Sequence, residues 1–321
     1  MVETRKIQVT GGSTFIVSIP GQWVRENGMT KGSSVTIAQE NNSLVVKPEQ
    51  YKEKEIERII ELGEKYSESL LQRILISSYI SGFDSLKINS RTYINAAQRD
   101  IIKKFTRVAM GVELLEETSL SITLQNVLDS RSFPTINALK RMIVNVQAMI
   151  TDTTKAFENG DSALLENIIS RDDDVDRYHF YMMKETLPYK GMKGPEVFNM
   201  VFSRILERIA DHTVNICHVL MNGENIGKEQ KDALKSFMEF CGDLFIKTTT
   251  MFFNVNLYEI NELVSRKEQV MKKKGEIGKL KGNSVSSSSI AEEISRIGMY
   301  STDIAELTLD IYTFRNISIR I

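Results

Sequence analysis

Two cysteines, five prolines and one tryptophan in 321 residues remove several designs at once. Cys217 and Cys241 are too few for a disulfide framework. Two isolated thiols in a long chain are expected instead as small buried hydrophobes in a reducing compartment. So little proline excludes a collagen-like or proline-rich disordered chain. An excess of one charge is missing too: 41 Lys and Arg face 42 Asp and Glu, a formal net charge of −1, so the chain as a whole is not a basic nucleic-acid binder. There is no run of about 18 apolar residues to span a membrane, and the opening Met1-Val-Glu-Thr-Arg-Lys6 lacks the apolar core of a signal peptide. The expected location is cytoplasmic, without membrane insertion. What is present, 41% hydrophobic and 26% charged residues, is the composition of a folded protein long enough for two or three domains.

Residues 1–50 read as short strands and tight turns. Ile7 and Val9, then Phe15, Val17 and Ile19, alternate on either side of Gly11-Gly12, while Val35, Ile37 and Leu44-Val45-Val46 flank Asn41-Asn42-Ser43. Both patterns predict hairpins, with a short helix over 22–27 between them. Four short strands bury little surface alone, so dimerisation is expected. Residues 51–134 predict an α/β linker domain: a helix over 67–81, a strand over 85–88, a basic helix over 95–107 and strands over 112–117 and 121–127. Ile56, Ile60 and Leu62 have strand spacing, but Ile59 leaves a helix open. A ferredoxin-like arrangement is the expectation.

From Ile136 the pattern is helical and it repeats. Ala138-Leu139-Lys140 matches Ala233-Leu234-Lys235, Phe157 matches Phe252, Ser170-Arg171 matches Ser265-Arg266 and Val175 matches Val270, all 95 residues apart; Arg208-Ile209 then matches Arg296-Ile297 at 88. Two three-helix units result, over 135–226 and 227–321. Their helices are expected near 136–158, 162–186 and 195–222, then 229–254, 256–276 and 289–315. The Lys-, Gly- and Ser-rich stretch 275–289 reads as a solvated loop.

Carboxylates in the first unit carry the chemical signal. At about 100° per residue, Asp172 and Asp176 fall within the apolar stripe of Leu165, Ile168, Val175 and Met183, where unpaired charge is costly. Four residues apart they also repel unless a cation lies between them. Glu207 and Asp211 repeat the spacing on the next helix, so two helices offer four oxygen-bearing groups suited to hard cations or iron. Glu207 and Asp211 lie opposite the stripe of Ile209, Ile216 and Val219, so the site has to sit in a groove or between units. A second reading stays open: solvated faces with Arg171, Arg177 and Arg208 as ion-pair partners. In the second unit Lys267, Met271, Ser295 and Met299 stand at the four positions, and the constellation is gone. Asp176-x-x-His179 has the spacing of a di-iron bundle ligand, but His179 lies on the apolar stripe and reads as a hydrogen-bonded core histidine; His212 reads as a group behind the ligands. No Ser-His-Asp order, phosphate-cradling glycine loop or Cys-x-x-Cys is present. No catalytic residue is assigned and the chain is not expected to be an enzyme.

The stretch Arg5-Lys-Ile-Gln-Val-Thr-Gly-Gly-Ser-Thr-Phe-Ile-Val-Ser-Ile-Pro-Gly-Gln-Trp-Val24, followed by Gly28-Met-Thr-Lys-Gly32 and Val35, resembles the AbrB/MazE swapped-hairpin family. The resemblance implies a DNA-binding and dimerisation domain over 1–50 in which two chains interleave, with Arg5, Lys6 and Arg25 at or near the DNA face and Ser13 and Thr14 on phosphates. The other reading of this segment is dimerisation without DNA. Arg171-Asp-Asp-Asp-Val-Asp176 and Glu207-Arg-Ile-Ala-Asp-His-Thr-Val-Asn-Ile216 resemble the two signatures of PhoU, the phosphate-uptake regulator family of paired three-helix repeats. That resemblance implies metal binding at Asp172, Asp176, Glu207 and Asp211, with Asp173 beside them; iron, zinc, manganese and magnesium all suit the donors. The whole order is similar to archaeal PhoU-type regulators. It implies a multi-domain homodimer that binds promoter DNA and regulates transcription of phosphate-uptake genes. The alternative is a metal-binding adaptor docking on a phosphate transporter subunit.

Overall fold

The computed structural model describes residues 3–40, 43–49, 55–63, 67–128, 133–186, 195–223, 226–280 and 284–316. The chain divides into two compact units, Met1–Glu55 and Ile56–Ile321.

In the first unit β1 (Gln8–Thr10) pairs antiparallel with β2 (Thr14–Ile16), α1 spans Gly21–Glu26, and β3 (Val35–Glu40) pairs antiparallel with β4 (Ser43–Pro48). The β1–β2 turn needs glycine: Gly11 and Gly12 have φ of 60° and 87°, where a Cβ would clash with the backbone. The expected Asn41-Asn42 turn lies outside the described residues. The two hairpins form separate two-stranded sheets. No described residue of this unit is buried: Ile7, Val9, Phe15, Val17, Ile37 and Leu44 are each more than half exposed. Among the described residues of this unit, the apolar strand faces are left uncovered.

The second unit opens with β5 (Glu57–Leu62), α2 (Glu68–Ile80), β6 (Ser85–Ser90), α3 (Ala96–Val108), β7 (Val112–Glu117) and β8 (Ser121–Asn126). The open question at Ile56–Leu62 resolves to a strand, with Leu62 buried and Ile59 exposed on the opposite face. The sheet order is β5-β6-β8-β7, with β5 parallel to β6 and the other pairs antiparallel. This is not ferredoxin-like. That fold runs β-α-β-β-α-β, whereas here a helix follows each of the first two strands and a hairpin ends the domain. Ser67 caps α2 by accepting the Leu70 N–H, and Asn95 with Gln98 forms a reciprocal capping box on α3. Leu71, Leu75, Ile102 and Phe105 bury one helix pair against Leu86, Ile88, Ile122 and Leu124 of the sheet.

The helical body follows as α4 (Thr135–Asn159), α5 (Ser162–Ser170), α6 (Asp172–Thr186), α7 (Pro195–Met221), α8 (Lys228–Phe253), α9 (Leu257–Gly278) and α10 (Val285–Arg315). Two expectations need correction. The single helix over 162–186 is broken at Arg171, whose guanidinium donates to Asp152 on α4 at 2.7 Å and pins the break. The Lys-Gly-Ser stretch is largely helical: α9 runs through Gly275 to Gly278 and α10 starts at Val285, while 281–283 lie outside the described residues. Ser286 and Ser287 are buried, because small hydroxylated side chains let α10 approach its neighbours closely.

Gly298 marks the tightest approach. A Cβ there would meet Cys241 Sγ at 2.8 Å and Val270 at 2.9 Å, from α8 and α9 respectively. Gly298→Val should therefore lower stability by about 2–3 kcal/mol through overpacking, outweighing the helix propensity gained; an unchanged denaturant midpoint would show that the crossing has slack.

Candidate metal centre in the helical body

Helix α6 begins where α5 stops. Val175 and Asp174 donate to the Arg171 carbonyl, so Asp172, Asp173 and Asp174 occupy the first turn, where carboxylates face the positive end of the helix dipole. Asp172 and Asp176 lie at the margin of the face that buries Val175 and His179. Helix α7 packs against α6 on one side and α10 on another, so it is buried on more than one stripe. This is how Glu207, opposite its main apolar face, still has a side chain only 12% exposed.

Asp172, Asp176, Glu207 and Asp211 act on one another electrostatically across the α6–α7 contact. Burial, then the charges of Asp211 and Glu207, push the Asp172 carboxyl up to about 6. Burial, then Asp172, Glu207 and Asp211, push Asp176 up to about 7. Glu207 is also raised, by burial and Asp211, against the pull of Arg204 and Arg208. Two carboxylate oxygens are buried without a hydrogen-bond partner, Asp172 Oδ1 and Glu207 Oε2. In a native interior such groups nearly always find a donor or a cation. Carboxylate oxygens are the donor type that hard cations take. Among the described residues no three His, Cys, Asp or Glu side chains stand in a ready-made ligand set. The α7 carboxylates are turned instead onto arginines: Arg204 Nη1 lies 3.1 Å from Glu207 Oε1 and Arg208 Nη1 3.2 Å from Asp211 Oδ2.

Arg204 is the residue that sequence reasoning missed. Its i, i+3 spacing to Glu207 was the available sign. Arg171, expected at the carboxylates, serves Asp152. His179 is a core histidine: it is 1% exposed, its Nδ1 is 3.1 Å from Ser203 Oγ, and burial followed by Arg204 and Arg208 depresses it to about 4. His212 Nδ1 is 2.6 Å from Glu293 Oε2 on α10, and its ring stacks on Tyr300, the residue 88 positions later. In the second repeat, burial raises Asp303 while Lys267, at the position of Asp172, opposes it; an ammonium stands there in place of a carboxylate.

The far half of α6 belongs to the linker domain as much as to the body. Phe180 packs on the linker core, the buried Lys184 ammonium lies 5.1 Å from the centre of the Tyr79 ring, and the Tyr79 hydroxyl donates to the Met110 carbonyl. One helix therefore carries two of the carboxylates at its start and touches the α/β domain at its end. In the first unit Arg5, Lys6, Ser13, Thr14 and Arg25 are all exposed, Arg5 pairing with Glu3.

Residues 139–220 match the PhoU domain family, and residues 8–54 match the family described as antidote-toxin recognition MazE, bacterial antitoxin. Two phosphate-specific transport system accessory protein PhoU homologues of Caulobacter vibrioides, from strains NA1000 / CB15N and ATCC 19089 / CIP 103742 / CB 15, are 28% identical over 101 residues, covering 29% of this chain. The match spans 44% of the length of those relatives. Among solved structures, the phosphate transport system regulatory protein PhoU from Streptococcus pneumoniae is similar at TM-score 0.49 and 15% identity, over 58% of this chain and 96% of that one. PhoU from Pseudomonas aeruginosa gives 0.46 and 14%, over 56% and 95%. No helix of the described residues is long and apolar enough to cross a membrane. The chain carries a PhoU domain within its helical body and a MazE-type domain at its N-terminal end.

Proposed function

We propose that this chain regulates phosphate uptake as a homodimer, its paired N-terminal domains binding promoter DNA and its helical body holding a metal ion through Asp172, Asp176, Glu207 and Asp211. The observation that carries the reading is the joining of a PhoU domain, with its converging carboxylates, to a MazE-type domain whose apolar strand faces are uncovered in one copy. A bound metal would neutralise the cluster and draw α6 and α7 together; iron, zinc, manganese and magnesium suit oxygen donors. The role is regulatory rather than enzymatic.

DNA binding is tested by fluorescence anisotropy on the chain's own promoter at two salt concentrations. Arg5→Ala with Lys6→Ala should weaken binding and flatten the salt slope by about 0.9 for each phosphate left without its cation. Unchanged affinity and slope would remove those residues from the DNA face. A second reading, an adaptor docking on a phosphate transporter subunit and dimerising through the N-terminal domain, is favoured by the curated relatives, which are transport-system accessory proteins, and by a head of five Lys and Arg against four Asp and Glu in residues 1–50. Promoter DNA bound no better than scrambled DNA would decide for the adaptor.

A further inference from the structure

The linker domain separates its charges by face. On the sheet, Leu86, Ile88, Ile122 and Leu124 turn toward the helices, so the alternate positions turn away from them. Those positions include Glu57 and Glu61 on β5, and Glu113 and Glu116 on β7, opposite Gln125 and Thr123. Lys87 is the only cation on that face among the described residues.

On the helix side the balance is reversed. Helix α3 buries Ile102 and Phe105 and exposes Ala96, Ala97, Asp100, Lys103, Lys104 and Arg107, a stripe about 120° wide at about 100° per residue. Asp100 is the one carboxylate of the stripe, and it pairs with Lys104 at 2.9 Å. Lys103 and Arg107, one turn apart, have no ion pair among the described residues. The neighbouring charges do not compensate them. Glu117, the β7 carboxylate on the helix side, is held by Arg99, and the exposed Glu68 and Arg73 of α2 cancel. Helix α6 meets the linker at Phe180 and at the buried Lys184–Glu185 pair, with its acidic first turn at the other end. Three cations against one carboxylate leave the α3 stripe with two positive charges.

The N-terminal unit supplies little electrostatic attraction for DNA, since residues 1–50 hold five Lys and Arg against four Asp and Glu. Sequence-independent affinity for a duplex comes from phosphates neutralised by Lys and Arg. The linker domain follows directly after Glu55, and a covalent tether gives a second contact a high effective concentration.

We propose that the outward face of α3, through Lys103 and Arg107, contacts the phosphate backbone of the DNA that flanks the site held by the N-terminal domains. The inference rests on the DNA-binding reading given above. The contact reads no bases; it adds affinity and fixes orientation. Ala96 and Ala97 leave room for a sugar-phosphate strand along the stripe.

The test uses the full-length chain and fluorescence anisotropy over a range of salt concentrations on two duplexes. One is the shortest stretch of the chain's own promoter that retains binding; the other extends it on each side by about two helical turns of scrambled sequence. The extended duplex should bind about tenfold more tightly at moderate salt, with a slope steeper by about 0.9 for each added phosphate contact. Lys103→Gln with Arg107→Gln should remove that gain and the added slope, about 1.8 for each chain engaged, and leave the short duplex unchanged. Lys103→Arg with Arg107→Lys, which keeps both charges, should retain the gain, and Asp100→Asn, which frees Lys104, should enlarge it. All four side chains are exposed, and far-UV circular dichroism verifies the fold of each variant. Equal affinity and slope on the two duplexes would overturn the proposal, as would an undiminished gain in the Gln variant. Weakened binding of that variant to both duplexes alike would overturn the flanking contact and place α3 at the central site. Promoter DNA bound no better than scrambled DNA at any length would overturn the DNA reading itself and the proposal with it.

Discussion

At pH 8 in the presence of chelator, Asp172→Asn with Asp176→Asn should make the protein more stable, and at pH 3 the gain should nearly vanish. Both carboxyls are raised in the folded state, to about 6 and about 7, from a value near 4 in an unfolded chain. Between those limits the native state binds more protons than the unfolded state, so stability falls as pH rises. Below the unfolded value both states are protonated and nothing further is gained. Above pH 7 the ionised cluster carries its full electrostatic load. At about 1.4 kcal/mol for each tenfold change in proton affinity, and with the two groups coupled so that their effects do not simply add, the double variant should gain about 3 kcal/mol at pH 8. Thermal melts at both pH values decide it: a variant no more stable than its parent at pH 8 sinks the idea that these carboxylates strain the fold. The same melts repeated with a divalent metal carry a second outcome. The unaltered chain should be stabilised and the variant should not, because only the former keeps all four carboxylate charges.

Much of this arrangement is legible in the sequence alone, and the exceptions have physical causes. The carboxylate pairs stand out because two i, i+4 acidic spacings on consecutive helices repel, and burial with that repulsion raises Asp172 and Asp176. The helical repeat is visible because its offsets survive in residues such as Phe157 and Phe252, which both pack into the core the two units share. The break at Arg171 is not, since it depends on an ion pair to Asp152, nineteen residues away, and no local propensity records that. The stretch 275–289 misleads because Gly and Ser are loop formers by composition, whereas Ser286 and Ser287 are held in α10 by tertiary burial. The linker topology fails for another reason. Its elements lie almost where the periodicity puts them, but their order, with a helix after each of two parallel strands, already departs from β-α-β-β-α-β. Arg204 escapes notice because an exposed arginine on a polar face is ordinary; only its contact with His179 distinguishes it.

The N-terminal unit yields the prediction with the largest effect on assembly. Phe15 is 73% exposed and pairs in register with Val9, 61% exposed, so one face of the β1–β2 hairpin is apolar and bare. The β3–β4 hairpin repeats the problem at Ile37 and Leu44. A two-stranded ribbon of this kind is marginal by itself, and a second copy of the same unit has the complementary apolar faces to cover it. Phe15→Asp should then remove about 1.5–3 kcal/mol of burial for each side chain and place a carboxylate in the covered face. In a two-fold dimer the change acts twice, so the association constant should fall by more than about a hundredfold. Sedimentation velocity at micromolar concentration should show the unaltered chain as a dimer and the variant as a monomer, while Phe15→Leu, still apolar, remains dimeric. DNA affinity should fall with the dimer if the paired heads are the binding surface. A Phe15→Asp chain that still sediments as a dimer of unchanged strength would move the interface to the helical body, and the bare hairpins would then need a different partner.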